Sequence, residues 1–207
     1  ASVQKAVDIL QSAQRPVIVS GGGVKASGAA AELLALAEQL AIPVVTSLNG
    51  KDTFPGMHPL SGGVVGTYSR ESANWAVNEA DLVCFIGTET GGMTTHFWAV
   101  PEIGKPAIQI DIEPESIGRN YPLQAAVQGD AKVTLARMVE LSDAGTAASR
   151  ATWVTRIKEL QDEWRAKHED ELRSDAVPIR PERLCQDLTD YLPDDAYVVV
   201  DTGHAGM

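Results

Sequence analysis

The chain has 207 residues, enough to bury a core as one or two domains, and its 44% hydrophobic and 22% charged content excludes a fibre or a disordered chain. A formal charge of −11 argues against nucleic acid as a partner, because phosphates need a basic face. No apolar run approaches the roughly 18 residues of a membrane span, and Ala1 to Leu10 carries charges in the manner of an amphipathic helix rather than a secretion signal.

The first strong signal runs from Pro16 to Ala41, where a short apolar run, PVIVS, feeds three glycines and then a helical stretch. From Gly28 to Ala41 the residues Leu33, Leu36, Ala37 and Leu40 fall on one face. Such a junction suits a phosphate, since glycine lets backbone approach a ligand and a helix start offers positive potential. The rival reading is a Gly-rich turn that packs tightly and binds nothing. Further strand-like runs follow at Pro43 to Thr46, Leu82 to Ile86 and Ala107 to Ile112, with a weaker one at Ala125 to Gln128. Uninterrupted apolar strands alternating with helices predict an α/β fold, a parallel sheet with helices on both faces.

Cys84 lies inside the apolar run LVCFIG and Cys185 in a predicted helix, with no metal-ligand spacing between them. Both read as reduced packing residues of a cytoplasmic protein. Near Leu141 the alternation stops. Trp153, Ile157, Leu160 and Trp164 then recur at helical spacing through a charged segment, which predicts a packing helix. A proline-flanked stretch, DAVPIRPERL, follows as a link, then a helix from Pro181 to about Tyr191 and a strand from Ala196 to Val200 leading into Asp201-Thr202-Gly203-His204. A lone strand has no sheet, so a second α/β domain is expected to begin near Pro181 and to continue past this chain. The expected organisation is a central nucleotide-binding-like domain over 1–148, a linker over 149–180, and the start of a C-terminal domain over 181–207.

Two phosphate motifs fail on inspection. Gly23 and Gly28 have P-loop spacing, but Ala29 and Ala30 stand where lysine and a hydroxyl are required. The dinucleotide fingerprint needs a third glycine where Ala26 stands, and the second strand runs into Thr46-Ser47-Leu48 instead of an acid. An acid appears later: Asp111 ends the strand AIQI, where it suits ribose hydroxyls, and Asp130 follows Gly129, either as a ligand contact or as a cap for the helix from Ala131 to Leu141. Gly87-Thr88-Glu89-Thr90-Gly91-Gly92 makes a third Gly-rich strand exit. Three exits at one sheet edge would line a crevice. His58, His96 and His168 read as structural or solvated.

Together these residues resemble the central domain of thiamine-diphosphate-dependent enzymes of the acetolactate synthase and pyruvate oxidase type. The segments that carry the resemblance are RPVIVSGGGV with SGA, IPVVTSLNGKDTFPGMHPLSGG, ANWAVNEADLVCFIGT, IQIDIEPESIGRN and GDAK, in the family's order over Ala1 to Glu140. VVVDTGHAGM resembles the opening of the family's C-terminal diphosphate-binding domain. The resemblance implies a three-domain subunit, paired as a homodimer or homotetramer, whose middle domain is a six-stranded parallel sheet. In that family the middle domain binds FAD in several members, ADP in some and nothing in others. By position, the FAD-contacting set implied here is Gly22, Gly23, Thr46, Ser47, Leu48, Gly87, Asp111, Ile112, Asp130 and Ala131, while Gly203 and His204 would approach thiamine diphosphate.

Glu89 departs from the family pattern: FAD-binding relatives place an arginine there, whereas this chain puts an anion before an anionic ligand. Val64 and Val65 replace a Met-His pair of the synthases. The implied parent takes a 2-oxo acid such as pyruvate, releases carbon dioxide and passes a two-carbon unit to an acceptor, with thiamine diphosphate and Mg2+. The family's Gly-Asp-Gly...Asn stretch for magnesium is absent from the sequence, so the isolated chain is expected to be inert. The competing expectation is a stand-alone FAD- or NAD-binding or scaffold domain, of electron-transfer-flavoprotein or sirtuin-like type.

Overall fold

The computed structural model describes residues 1–193 and 195–199, and the chain divides into two compact units, Ala1–Gln161 and Asp162–Met207. In the first unit six strands form one parallel sheet in the order β3-β2-β1-β4-β5-β6. They are β1 (Pro16–Ser20), β2 (Val44–Thr46), β3 (Ser61–Val64), β4 (Leu82–Ile86), β5 (Ala107–Asp111) and β6 (Ala125–Gln128). Five coincide with the apolar runs. β3 does not, because its sequence, SGGV, has no apolar run; it is an edge strand whose register against β2 shifts between Val44 and Val45. Gly62 explains its composition, since a Cβ there would lie 2.7 Å from Val45 Cγ1.

Alternation along the strands divides the core in two. Ile18, Val44, Cys84, Ile86, Ile108 and Ile110 face one apolar cluster with helices α1 (Ser2–Ser12), α3 (Ala30–Leu40) and α5 (Ala131–Leu141). Val17, Val19, Val45, Val83 and Phe85 face a second cluster with α4 (Glu71–Glu79) and the first turns of α6 (Ala151–Lys167). The fold is thus three layers, helices over both faces of a parallel sheet. Between β1 and α3 a five-residue helix, α2 (Gly22–Ala26), closes the Gly-rich junction and ends before Gly28, whose φ is +63°.

The predicted face of α3 is the buried one, with Leu33, Leu36, Ala37 and Leu40 fully enclosed. Trp153, Ile157 and Leu160 are buried as well, so the first unit runs on to Gln161. Trp153 Nε1 donates to the Pro16 carbonyl at 2.8 Å, which ties α6 to the start of β1.

The second unit holds α7 (Glu169–Leu172) and α8 (Pro181–Tyr191), the latter opening with proline at its first turn as expected. Arg183 binds both carboxylate oxygens of Asp187 and the carboxylate of Asp175. Residues 196–199 are not a strand, since a strand needs a hydrogen-bonded neighbour and none pairs with them among the described residues. Val200, Gly203 and His204 lie outside the described residues.

Candidate functional site

All six strands are parallel, so their carboxyl ends share one edge of the sheet. The chain order reverses between β1 and β4, the point at which open α/β sheets form a crevice. Here the β1 exit meets the β4 exit backbone to backbone. A Cβ on Gly21 would collide with the Gly87 carbonyl, and one on Gly23 would lie 2.7 Å from Gly87 Cα. Gly87 itself has φ +59°.

That contact forms a ridge with a cavity on either side. One, of about 190 Å³, is lined by Gly23, Ala26, Ser27 and Gly87 with Ile110, Asp111, Ile112, Gly129, Asp130 and Ala131. The other, of about 390 Å³, is lined by Gly22, Gly23, Asn49 and Gly87 through Glu89 and Gly91 through Thr94. The cavities therefore bring together seven of the expected residues: Gly22, Gly23, Gly87, Asp111, Ile112, Asp130 and Ala131. Thr46, Ser47 and Leu48 are in neither lining. Thr46 and Ser47 are buried at the β2 exit, where Ser47 Oγ accepts from Gly50 N at 3.1 Å, and Leu48 is exposed.

Four of the amides at the ridge are already engaged. Gly21 N donates to the Ile86 carbonyl at 2.8 Å, Gly23 N to Gly87 at 2.9 Å, Val24 N to Gly21 at 3.2 Å and Gly87 N to Ile110 at 2.9 Å. Gly129 N donates to the Asp111 carbonyl at 2.9 Å. The acids also hold local structure: Asp111 Oδ1 accepts from Glu113 N at 3.0 Å, and Asp130 Oδ1 from Val133 N at 3.1 Å, capping α5. Gly22 differs, since its nearest neighbour to a Cβ is Asn49 at 3.5 Å, an ordinary contact.

Two residues that sequence reasoning did not single out set the β4 exit. Gln109, buried in β5, donates through Nε2 to the carbonyls of Thr88 (3.2 Å) and Ser116 (3.1 Å) and accepts from Gly118 N (2.9 Å). Asn120 Nδ2 donates to the Glu89 and Thr90 carbonyls and to Thr90 Oγ1 at 3.1, 3.2 and 3.1 Å. Thr90 is buried and left-handed, with φ +53°. The signal for Gln109 was available: a polar residue inside an otherwise apolar strand must find buried partners.

Elsewhere, His58 Nε2 lies 3.2 Å from Glu38 Oε1, and the His168 ring lies 5.1 Å from that of Trp164. Cys84 is fully buried, and burial pushes its thiol up to about 12. Among the described residues, no group of His, Cys, Asp and Glu side chains is arranged to hold a metal ion, and no helix is long and apolar enough to cross a membrane.

A parallel sheet in this order, with Gly-rich exits at the switch point, defines an α/β domain of the doubly wound class. A family model described as "thiamine pyrophosphate enzyme, central domain" matches residues 3–138, and the chain belongs to that family. A "probable acetolactate synthase large subunit" of Methanocaldococcus jannaschii is 38% identical over 193 residues, covering 92% of this chain and 32% of the relative. The acetolactate synthase large subunit of Parasynechococcus marenigrum is 34% identical over 208 residues, covering all of this chain and 33% of the relative. Among solved structures, "a putative thiamin diphosphate-dependent enzyme" from Mycobacterium smegmatis superposes with a TM-score of 0.57 at 28% identity, covering 69% of this chain and 27% of the other. The chain spans about a third of the length of the curated relatives it matches. These likenesses give no support to the stand-alone flavoprotein or sirtuin-like alternative.

The family resemblance raises FAD or ADP as a ligand of this crevice, and the donor set does not fit either one. At the switch point the amides of Gly23 and Gly87 are spent on carbonyls. Neither lining contains lysine, arginine or histidine, and together they contain Glu89, Asp111 and Asp130.

Proposed function

We propose that the whole gene product is a thiamine-diphosphate- and Mg2+-dependent enzyme that decarboxylates a 2-oxo acid such as pyruvate and joins the two-carbon unit to an acceptor. This chain serves it as the middle domain. The observation that carries the reading is the family match over residues 3–138, which falls within the six-stranded unit. The acetolactate synthase relatives supply the reaction class. Thiamine diphosphate supplies the electron sink for the carbanion that decarboxylation leaves.

The residues of this chain act by positioning. Trp153 and Arg150 fix where the chain leaves the sheet domain, and the ridge at Gly23 and Gly87 sets the carboxyl edge of the sheet. Gly22, Gly23, Gly87, Asp111, Ile112, Asp130 and Ala131 form the rim that any ligand in the crevice would face. Gly203 and His204 belong, on this reading, to the thiamine diphosphate site, and the parent assembles as a homodimer or homotetramer in the cytoplasm.

Calorimetric titration with thiamine diphosphate and Mg2+ tests this. The whole gene product should bind the cofactor with a stoichiometry of about one per subunit and lose binding when Mg2+ is chelated. The 207-residue chain alone should bind none and turn over no pyruvate. A whole protein that ignores thiamine diphosphate contradicts the reading.

A further inference from the structure

We propose that the switch-point crevice of this chain excludes pyrophosphate-bearing ligands, and that Glu89 is the residue that sets the exclusion. The inference concerns the crevice alone and stands or falls apart from the carboligase assignment.

Three observations carry it. The first is the state of the donors. Sites that hold a pyrophosphate at a strand exit do so with unspent amides, and here those of Gly21, Gly23, Val24 and Gly87 each donate to a carbonyl within 3.2 Å. α2 is only five residues long and brings no helix-scale field, and the longer α5, whose start lines the smaller cavity, is already capped there by the Asp130 carboxylate.

The second is charge. The linings contribute three carboxylates and no cationic side chain. The lysines next to them in sequence are exposed and lie beside carboxylates outside the linings: Lys25 Nζ is 2.6 Å from Asp52, and Lys132 Nζ 3.8 Å from Glu32. An incoming pyrophosphate would meet like charge with no counter-charge in either lining.

The third is that Glu89 is held in place. Its own carbonyl and that of Thr90 accept from Asn120, the carbonyl of Thr88 accepts from Gln109, and Thr90 is locked in a left-handed conformation. The backbone carrying Glu89 is therefore fixed at the rim of the larger cavity, where its exposed side chain sits. Glu89 differs in this from Asp111 and Asp130, whose carboxylates hold turns and a helix cap. It can be changed without removing a structural hydrogen bond that those two supply.

The test is a binding series on the whole gene product with its thiamine diphosphate site saturated by that cofactor and Mg2+, read by calorimetry, with adenosine as the uncharged probe and ADP and FAD as the charged ones. The wild-type protein should purify without flavin absorbance and bind ADP and FAD more weakly than adenosine. Raising the salt concentration should strengthen whatever ADP binding remains, the reverse of an ordinary phosphate site. Glu89→Arg should tighten ADP about tenfold or more and Glu89→Gln about threefold, with adenosine unchanged in both. Circular dichroism should match the wild type, because the side chain is exposed. Stoichiometric FAD in the wild-type protein, ADP binding tighter than adenosine, or an ADP affinity that neither variant raises would each overturn the proposal.

Discussion

Arg150 is fully buried and spends its guanidinium on main-chain carbonyls: Leu40 through Nη1 at 2.7 Å, Leu10 through Nη2 at 2.7 Å, and Gln11 and Ala13. Those carbonyls are the loose ends of α1 and α3, where the helix dipole is negative, so one cation closes two helices. Burial pulls its pKa below the usual arginine range, opposed by Asp81. Arg150→Met should cost about 3 kcal/mol in denaturant unfolding, because it strands several buried carbonyls. Arg150→Lys should recover little, since an ammonium cannot span two helix ends. None of this was legible in the sequence, where Arg150 closes a stretch of small polar residues. A long-range clamp has no local pattern. Cys84 was legible, because an apolar run around a cysteine is a burial signal. Its raised pKa predicts that a thiol reagent on the folded protein modifies the exposed Cys185 at once and Cys84 only at the rate of unfolding.

Among elements, the Gly-rich exits were readable and their role was not. The sequence offers the same glycines to a ligand or to a neighbouring strand, and only the β1–β4 junction shows which atoms come close. Gly23→Ala should destabilise the protein by about 2 kcal/mol, because its Cβ meets immovable backbone, and Gly87→Ala by at least as much because its φ is positive. Gly22→Ala should stay within about 0.5 kcal/mol. Thermal unfolding of the three variants separates packing from ligand approach: equal effects at Gly22 and Gly23 would contradict the ridge. α4 and α6 are joined by a two-pronged pair, Arg156 Nε and Nη2 to Glu79 Oε2 and Oε1 at 3.0 and 2.8 Å. Hydrogen bonding from Arg156 holds the Glu79 carboxyl below its ordinary 4.5. The stabilisation it gives is present above that value and lost as pH falls through the depressed one. Acid unfolding of Glu79→Gln should therefore converge with that of the wild type at low pH and lie below it near neutrality. β3 escaped sequence reading because an edge strand of Ser and Gly carries neither alternation nor an apolar run.

For the molecule as a whole, apolar strands alternating with helices made the three layers legible in the sequence, because strands buried on both faces must be apolar throughout. The sequence resemblance then located the chain within one superfamily, and the family match agrees with it. The crevice chemistry was less legible: whether an amide is free or spent depends on strands far apart in sequence, such as Gly23 and Gly87. The domain boundary was blurred because α6 serves the first core with Trp153, Ile157 and Leu160 and then continues beyond it. The measurement that bears most directly on the account is carbon-13 NMR of the whole gene product with labelled pyruvate, with and without thiamine diphosphate. Labelled carbon dioxide and a new carbon–carbon-bonded product are expected only when the cofactor is present. Pyruvate left intact with cofactor and Mg2+ supplied, or consumed equally without them, would contradict it.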